Sequence, residues 1–194
     1  MSRALGPLSP GTVADDASVG TVAWILMDYA KVEDANFAAA PIFGASVITH
    51  YLKLTAFGLV VPGNAVVRGI SARVKRRQFN NPVRDYRIRI VKGGVIGATE
   101  MADLVTVWGT SPALGAYKSY GGPEELWGEQ WGPGDIDSGF GIAISATSDP
   151  VIGGAHTALV NHVYLTVYYE LGGVARHRAA IVDAAGAVKG QIIP

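Results

Sequence analysis

Apolar and polar residues alternate along several stretches of this chain, which is the period of a half-buried β-strand. In residues 65–77, Ile70, Ala72 and Val74 fall on one face, and Ser71, Arg73, Lys75 and Arg77 on the other. Asn80-Asn81-Pro82 follows as a turn signal. Residues 83–92 alternate again, with Tyr86, Ile88 and Ile90 opposite Asp85, Arg87 and Arg89. Two such runs joined by a short polar loop predict an antiparallel hairpin with Ile70, Val74, Ile88 and Ile90 buried. Its outer face would then carry Arg73, Lys75, Arg77, Arg87 and Arg89 together.

Further strands are predicted on either side. The apolar run 47–61 closes at Pro62-Gly63-Asn64. A short strand is expected at 104–108, with Leu104, Thr106 and Trp108 on one face. Residues 139–147 place Phe140, Ile142 and Ile144 together. In 157–171, Leu159, Asn161, Val163, Leu165, Val167 and Tyr169 share one parity, opposite His162, Tyr164, Thr166 and Tyr168. Helical signal is thin, amounting to one or two turns in 30–40 and one in 123–128. Many strands, turn clusters between them and no βαβ alternation predict an all-β fold, an antiparallel β-sandwich. The long connection 93–138 suits strands that cross between sheets, so a jelly-roll-like version is expected.

The two ends lack this periodicity. Residues 1–20 are rich in Gly, Ser, Pro and Asp and are expected to form an extended N-terminal arm. Residues 172–194 follow a Gly-Gly break and are expected to form a C-terminal arm, with a short hairpin over VDAAGAVKG. The sandwich domain would then be 21–171. The apolar Ile181, Val182, Ile192 and Ile193 are costly to leave in water, so either disorder or ordering by a neighbouring subunit fits this arm.

Composition narrows the class. Charged residues are 16% of the 194 and apolar residues 49%, against a usual quarter charged. A surface so poor in charge predicts partial cover by neighbours. With no cysteine, disulfides and thiolate chemistry are excluded. The start of the chain has no apolar stretch of signal-peptide type, and no run is long enough to predict a membrane span.

The formally neutral chain segregates its charge along the sequence. Residues 68–92 hold nine of the sixteen Lys and Arg with one acid, Asp85. Residues 94–149 hold eight acids against Lys118. Opposed charged faces would suit contact between copies or with a charged partner. The basic residues therefore have three readings: a solvated face, a docking surface for an acidic subunit, or a polyanion site. Overall neutrality and the absence of interleaved aromatics on the basic strand positions argue against nucleic acid.

Two other clusters carry candidate chemistry. In the loop 126–141, Trp127 and Trp131 lie among Asp135 and Asp137. They would stack on a sugar, or else plug the end of the sandwich. Asp135, Asp137 and Ser138 supply too few oxygens for calcium. His50, His156, His162 and His177 show no metal-ligand spacing, and no G-x-S-x-G occurs. No cofactor is implied and no catalytic constellation can be drawn.

The ordered series is more informative than any one motif. It runs from Trp24, Asp34 and Asn36-Phe37-Ala38 through Tyr51-Leu52, Phe57-Gly58 and Pro62-Gly63 to Val67-Arg68-Gly69-Ile70. Val83-Arg84-Asp85, Val91-Lys92-Gly93-Gly94, Trp108 and Gly121-Gly122 follow. Then come Leu126-Trp127-Gly128, Trp131, Asp135-Ile136-Asp137-Ser138, Phe140-Gly141, Asn161-His162-Val163 and Leu165-Thr166-Val167-Tyr168-Tyr169. Over roughly 24–169 this resembles a group of β-sandwich structural proteins of tailed-phage virions and prophages. The resemblance implies a non-enzymatic virion subunit: head decoration, head fibre, collar or tail-associated. It would act through contacts with other virion subunits, as a homo-oligomer, with Arg73, Lys75, Arg77, Arg87, Arg89, Ile192 and Ile193 as contact candidates. The alternative is a carbohydrate-binding adhesion module for a host-surface glycan, using Trp127, Trp131, Asp135 and Asp137.

Overall fold

The alternating stretches form two antiparallel sheets packed face to face in the computed structural model, which describes residues 2–110, 115–172, 180–182 and 188–191. In chain order the strands are β1 (Arg3–Leu8), β2 (Thr12–Asp16), β3 (Ala38–Phe43), β4 (Tyr51–Thr55), β5 (Ala65–Asn80) and β6 (Val83–Lys92). They continue as β7 (Val95–Ile96), β8 (Ala116–Gly122), β9 (Gly141–Ser148) and β10 (Ala155–Leu171). A separate pair, β11 (Ala180–Val182) and β12 (Val188–Gln191), forms the short hairpin expected over VDAAGAVKG.

The first sheet runs β3-β10-β5-β8, with β1 also paired to β10, and the second runs β2-β4-β9-β6-β7. From β1 to β10 every connection except β6 to β7 crosses between the sheets. This winding is that of a jelly roll. It also explains the long stretch 93–138, which contains β7, a passage between sheets and β8.

The expected hairpin of 65–77 with 83–92 does not form. β5 is an inner strand of the first sheet, flanked by β10 and β8, while β6 lies in the second between β9 and β7. Asn80 adopts φ 66°, and only Asn81 and Pro82 separate the strands. Asn tolerates the left-handed region, and Pro82 has no N–H to give a ladder. The Asn81 amide donates to the Ala155 carbonyl at 3.0 Å, pinning the corner to the start of β10. The turn signal was therefore real, but it turns the chain onto the opposite sheet. Alternation reports a half-buried strand and does not report its partner.

Ile70, Val74, Ile88 and Ile90 are nonetheless buried, each from its own sheet. Register slips at two residues re-aim side chains. Tyr86 sits at a bulge, so Asp85 joins Ile88 and Ile90 inside, and only Arg87 and Arg89 remain outside. Asn161 sits at another, so Ala158 and Val160 face inward before it and Val163, Leu165 and Val167 after it.

Residues 1–20 are not a free arm. β1 pairs with β10 and β2 pairs with β4, so the segment supplies an outer strand to each sheet. Alternation is weak there because these strands are short and mostly solvated. Residues 104–108 form no strand; the Asp103 carboxylate accepts the Val105 and Thr106 amides and holds a turn. The helical turns expected in 30–40 and 123–128 do not form there: a 3₁₀ turn spans Met27–Lys31 and overlaps the first range only at its start, β3 occupies 38–43, and 123–128 is a non-helical turn region. Among the described residues no helix is long and apolar enough to cross a membrane.

Candidate functional site

The basic residues do not share a face. Arg73, Lys75 and Arg77 project from the outer face of the first sheet, whereas Arg87 and Arg89 project from the outer face of the second. Much of the charge segregated along the sequence is also neutralised within the fold. Glu100 accepts from Arg87 at 3.3 Å and Arg89 at 3.1 Å, and its other oxygen accepts the Ile88 amide at 2.6 Å. Arg84 pairs with Asp149, Lys92 with Asp135, and Lys118 with Asp103. The Lys118 ammonium and the Thr106 amide hold the Asp103 carboxyl below its usual range. Three acids of the acidic stretch, Glu100, Asp135 and Asp149, are thus counter-charges of the basic one in the same subunit. This removes the geometric basis for two opposed charged faces.

One ion pair is fully internal. Arg76 points into the core, 2.9 Å from Asp85, which is completely buried. Trp108 Nε1 and the Tyr120 hydroxyl both donate to Asp85, and the Asp103 amide adds a third bond. Burial pushes the Asp85 carboxyl up against the opposing pull of Arg76. Since β5 and β8 belong to one sheet and β6 to the other, this network ties the two layers together.

On the outer face of the first sheet a second cluster forms around Glu33. Its carboxylate accepts from Lys75 at 2.5 Å, Tyr117 at 3.0 Å and Tyr164 at 3.2 Å. The Lys75 and Tyr117 bonds depress the Glu33 carboxyl. His162, across from Lys75 on β10, meets the Tyr117 hydroxyl at 3.1 Å and the Ser9 hydroxyl at 2.9 Å. It is buried, and desolvation lowers its pKa. The Asn161 amide donates to the Asp34 and Asn36 carbonyls, both at 2.7 Å. These bonds strap the 31–37 segment across the sheet. Lys75 is therefore a clamp, buried beneath the strap. Arg73 lies 4.7 Å from the Tyr117 ring centre and has no carboxylate within 4 Å among the described residues.

The tryptophan loop faces inward. Trp127 is completely buried, and its indole N–H donates to the Ile70 carbonyl at 2.9 Å. Gly121, at φ 65°, leaves room for that ring, since a Cβ there would sit 2.7 Å from Trp127 Nε1. Trp131 donates to the Leu126 carbonyl and meets Phe140 edge-on. Asp135 accepts the Gly132 amide besides pairing with Lys92, and Asp137 accepts the Gly139 amide. The two rings named for sugar stacking are thus plugs of the core, and the two carboxylates shape the loop. Among the described residues no group of three His, Asp or Glu side chains is placed to hold a metal.

The feature that sequence reasoning missed lies at the end of the sandwich where β10 begins. Phe43 ends β3 opposite Ala155, and Phe79 on β5 lies opposite Thr157, so the two rings flank β10 on its outer side. Phe43 is 80% exposed and Phe79 60%. The adjoining loop adds Val151, 86% exposed, and Ile152. Hydrogen bonds hold this loop: Gly44 N–H to the Gly154 carbonyl at 2.9 Å, and the Val151 and Ile152 amides to Asp149. By side-chain size these exposures amount to roughly 400 Å² of apolar surface, which is the scale of a functional patch on a monomer. A signal existed: Phe79 has the parity of Arg73, Lys75 and Arg77, the outward residues of β5.

Ile192 and Ile193, the remaining contact candidates, and His177 lie outside the described residues. A scan against protein-family models found no matching family, and a search of curated proteins found no match.

Proposed function

We propose that this chain is a non-enzymatic structural subunit of a virion, of the tailed-phage kind that its ordered sequence series resembles. It acts as a rigid jelly-roll body that docks on other subunits, including copies of itself, through the apolar end formed by Phe43, Phe79, Val151 and Ile152. The exposure of those four side chains on a hydrogen-bonded frame is the observation that carries this reading. Leaving two phenylalanine rings in water on a rigid surface opposes solubility, and cover by a neighbour relieves it.

The neutralised surface fits the same reading. With its ion pairs closed internally, the subunit gains little from long-range steering, and its contacts depend on shape and apolar burial. The adhesion alternative loses the stacking rings it was built on, because Trp127 and Trp131 face the core.

Mass spectrometry of purified particles with copy-number estimation tests the proposal. A fixed, repeated copy number is expected, and replacement of Phe43 and Phe79 by Ser abolishes incorporation of an otherwise folded protein. Absence of the chain from particles rejects the proposal.

A further inference from the structure

We infer that the apolar end of one subunit receives the segment after Gly172 of a second copy, with Ile192 and Ile193 as the inserted side chains. The inference rests on the assembly reading above and names the occupant of its contact surface.

The geometry of β10 carries it. This strand runs the length of the sandwich, from Ala155 beside Phe43 to Leu171 opposite Ala65. The Gly172 amide donates to the Asn64 carbonyl at 2.7 Å, which fixes the point where the chain leaves the body. That exit lies at the end opposite the Phe43 patch. Sixteen steps of strand separate Leu171 from Ala155, about 50 Å at the usual rise.

The segment beyond the exit is shortened by its own hairpin. Ala180 pairs with Gln191, so residues 183–190 add no reach. With that pair closed, the stretches before 180 and after 191, drawn straight, place Ile193 about 45 Å from Gly172 at most. To cover its own patch, the segment would have to lie taut along the whole sandwich, at full cost in chain entropy. A neighbour stacked end to end brings its Phe43 patch next to the exit, where the same segment reaches it with slack.

The sequence supplies a matching ligand. Gln191-Ile192-Ile193-Pro194 carries no charged side chain and offers two β-branched apolar ones. On the receiving side, Arg84 and Asp149 at the patch border satisfy each other at 2.8 Å, so an apolar guest strands no charge there. An exit at one end and a receptor at the other make a heterologous contact, which closes into a ring or runs on as a stack.

The chain has no cysteine, so the contact can be tested by directed cross-linking of full-length protein. One variant carries Val151→Cys, another Ile193→Cys, and a control carries Val60→Cys, which is also exposed but lies in the connection before β5. Mixing the Val151→Cys and Ile193→Cys proteins under mild oxidation is expected to give a disulfide-linked pair containing one of each. Its yield should be at least about ten times that of the Val60→Cys and Ile193→Cys mixture. In parallel, Ile192→Asp with Ile193→Asp should weaken self-association at least about tenfold without changing the melting temperature. Equal yields in the two mixtures overturn the inference, as does a Val151→Cys, Ile193→Cys double variant that links only within one chain. Association that survives the aspartates but is lost on replacing Phe43 and Phe79 also overturns it, while leaving the assembly reading standing.

Discussion

Two pairs of aromatic residues mark different regions of this sandwich, and their surroundings are opposite. Trp127 and Trp131 lie in a glycine-rich loop yet are buried, with their indole N–H groups bonded to backbone carbonyls. Phe43 and Phe79 lie on regular strands yet stand in solvent. The difference follows from which way the backbone aims each ring. The loop carries Trp127 at φ 57° beside Gly121 and folds it under the sheet. The strands place Ile42 and Gln78 inward, which forces their neighbours outward. A ring in a loop is thus no more a binding residue than a ring on a strand is a core residue.

The largest effects should appear where this contrast is steepest. Trp127→Ala is expected to cost about 3–5 kcal/mol in denaturant melts, the range for a fully buried large aromatic. Phe43→Ser should change stability by no more than about 0.5 kcal/mol, as for exposed positions in general. Comparable costs at both sites would break the comparison.

Removal of Asp85 should be as damaging as loss of the tryptophan. Asp85→Ala strands the buried Arg76 and leaves Trp108 and Tyr120 without their acceptor, for an expected cost of about 3–5 kcal/mol. Arg87→Ala, by contrast, removes a half-exposed ion pair and should cost about 1 kcal/mol or less. Its neighbour Ile88→Ala should cost about 2–5 kcal/mol. A small effect at Ile88 would contradict the register that puts it inside.

The smallest expected effect is a pH dependence. Burial depresses the His162 pKa, so below its ordinary value of about 6.5 the unfolded chain binds more protons than the folded one. The stability this contributes is present above that pH and falls as pH drops through the folded value. Melts between pH 7.5 and 5 should show this loss, and His162→Gln should flatten it. An unchanged slope in the variant would move the titration to another group.

The fold class and much of the core were legible because alternation survives in the long strands. Ile70, Val74, Ile88 and Ile90 are inside, as their spacing predicts. Strand partners were not legible, since period 2 is the same whether β6 pairs with β5 or turns onto the opposite sheet. Bulges at Tyr86 and Asn161 erase the phase locally, so alternation puts Asp85 on the outer face while the fold puts it inside. β3 was missed because three alanines and a proline carry little strand signal, and with it went Phe43. The charge segregation is visible in the sequence as a pattern, but its consequence is not. Whether Glu100 meets Arg87 and Arg89 of the same chain or of another depends on the path of residues 93–100, which no spacing rule supplies.

Sedimentation velocity over a wide concentration range tests the central claim most directly. The full-length protein is expected to show reversible self-association that persists at high salt, because apolar burial and not ion pairing drives it. The Phe43→Ser, Phe79→Ser protein should remain monomeric across the same range with an unchanged melting temperature. Identical association of the two proteins, or association that disappears with salt alone, would contradict the assignment of the apolar end as the subunit contact.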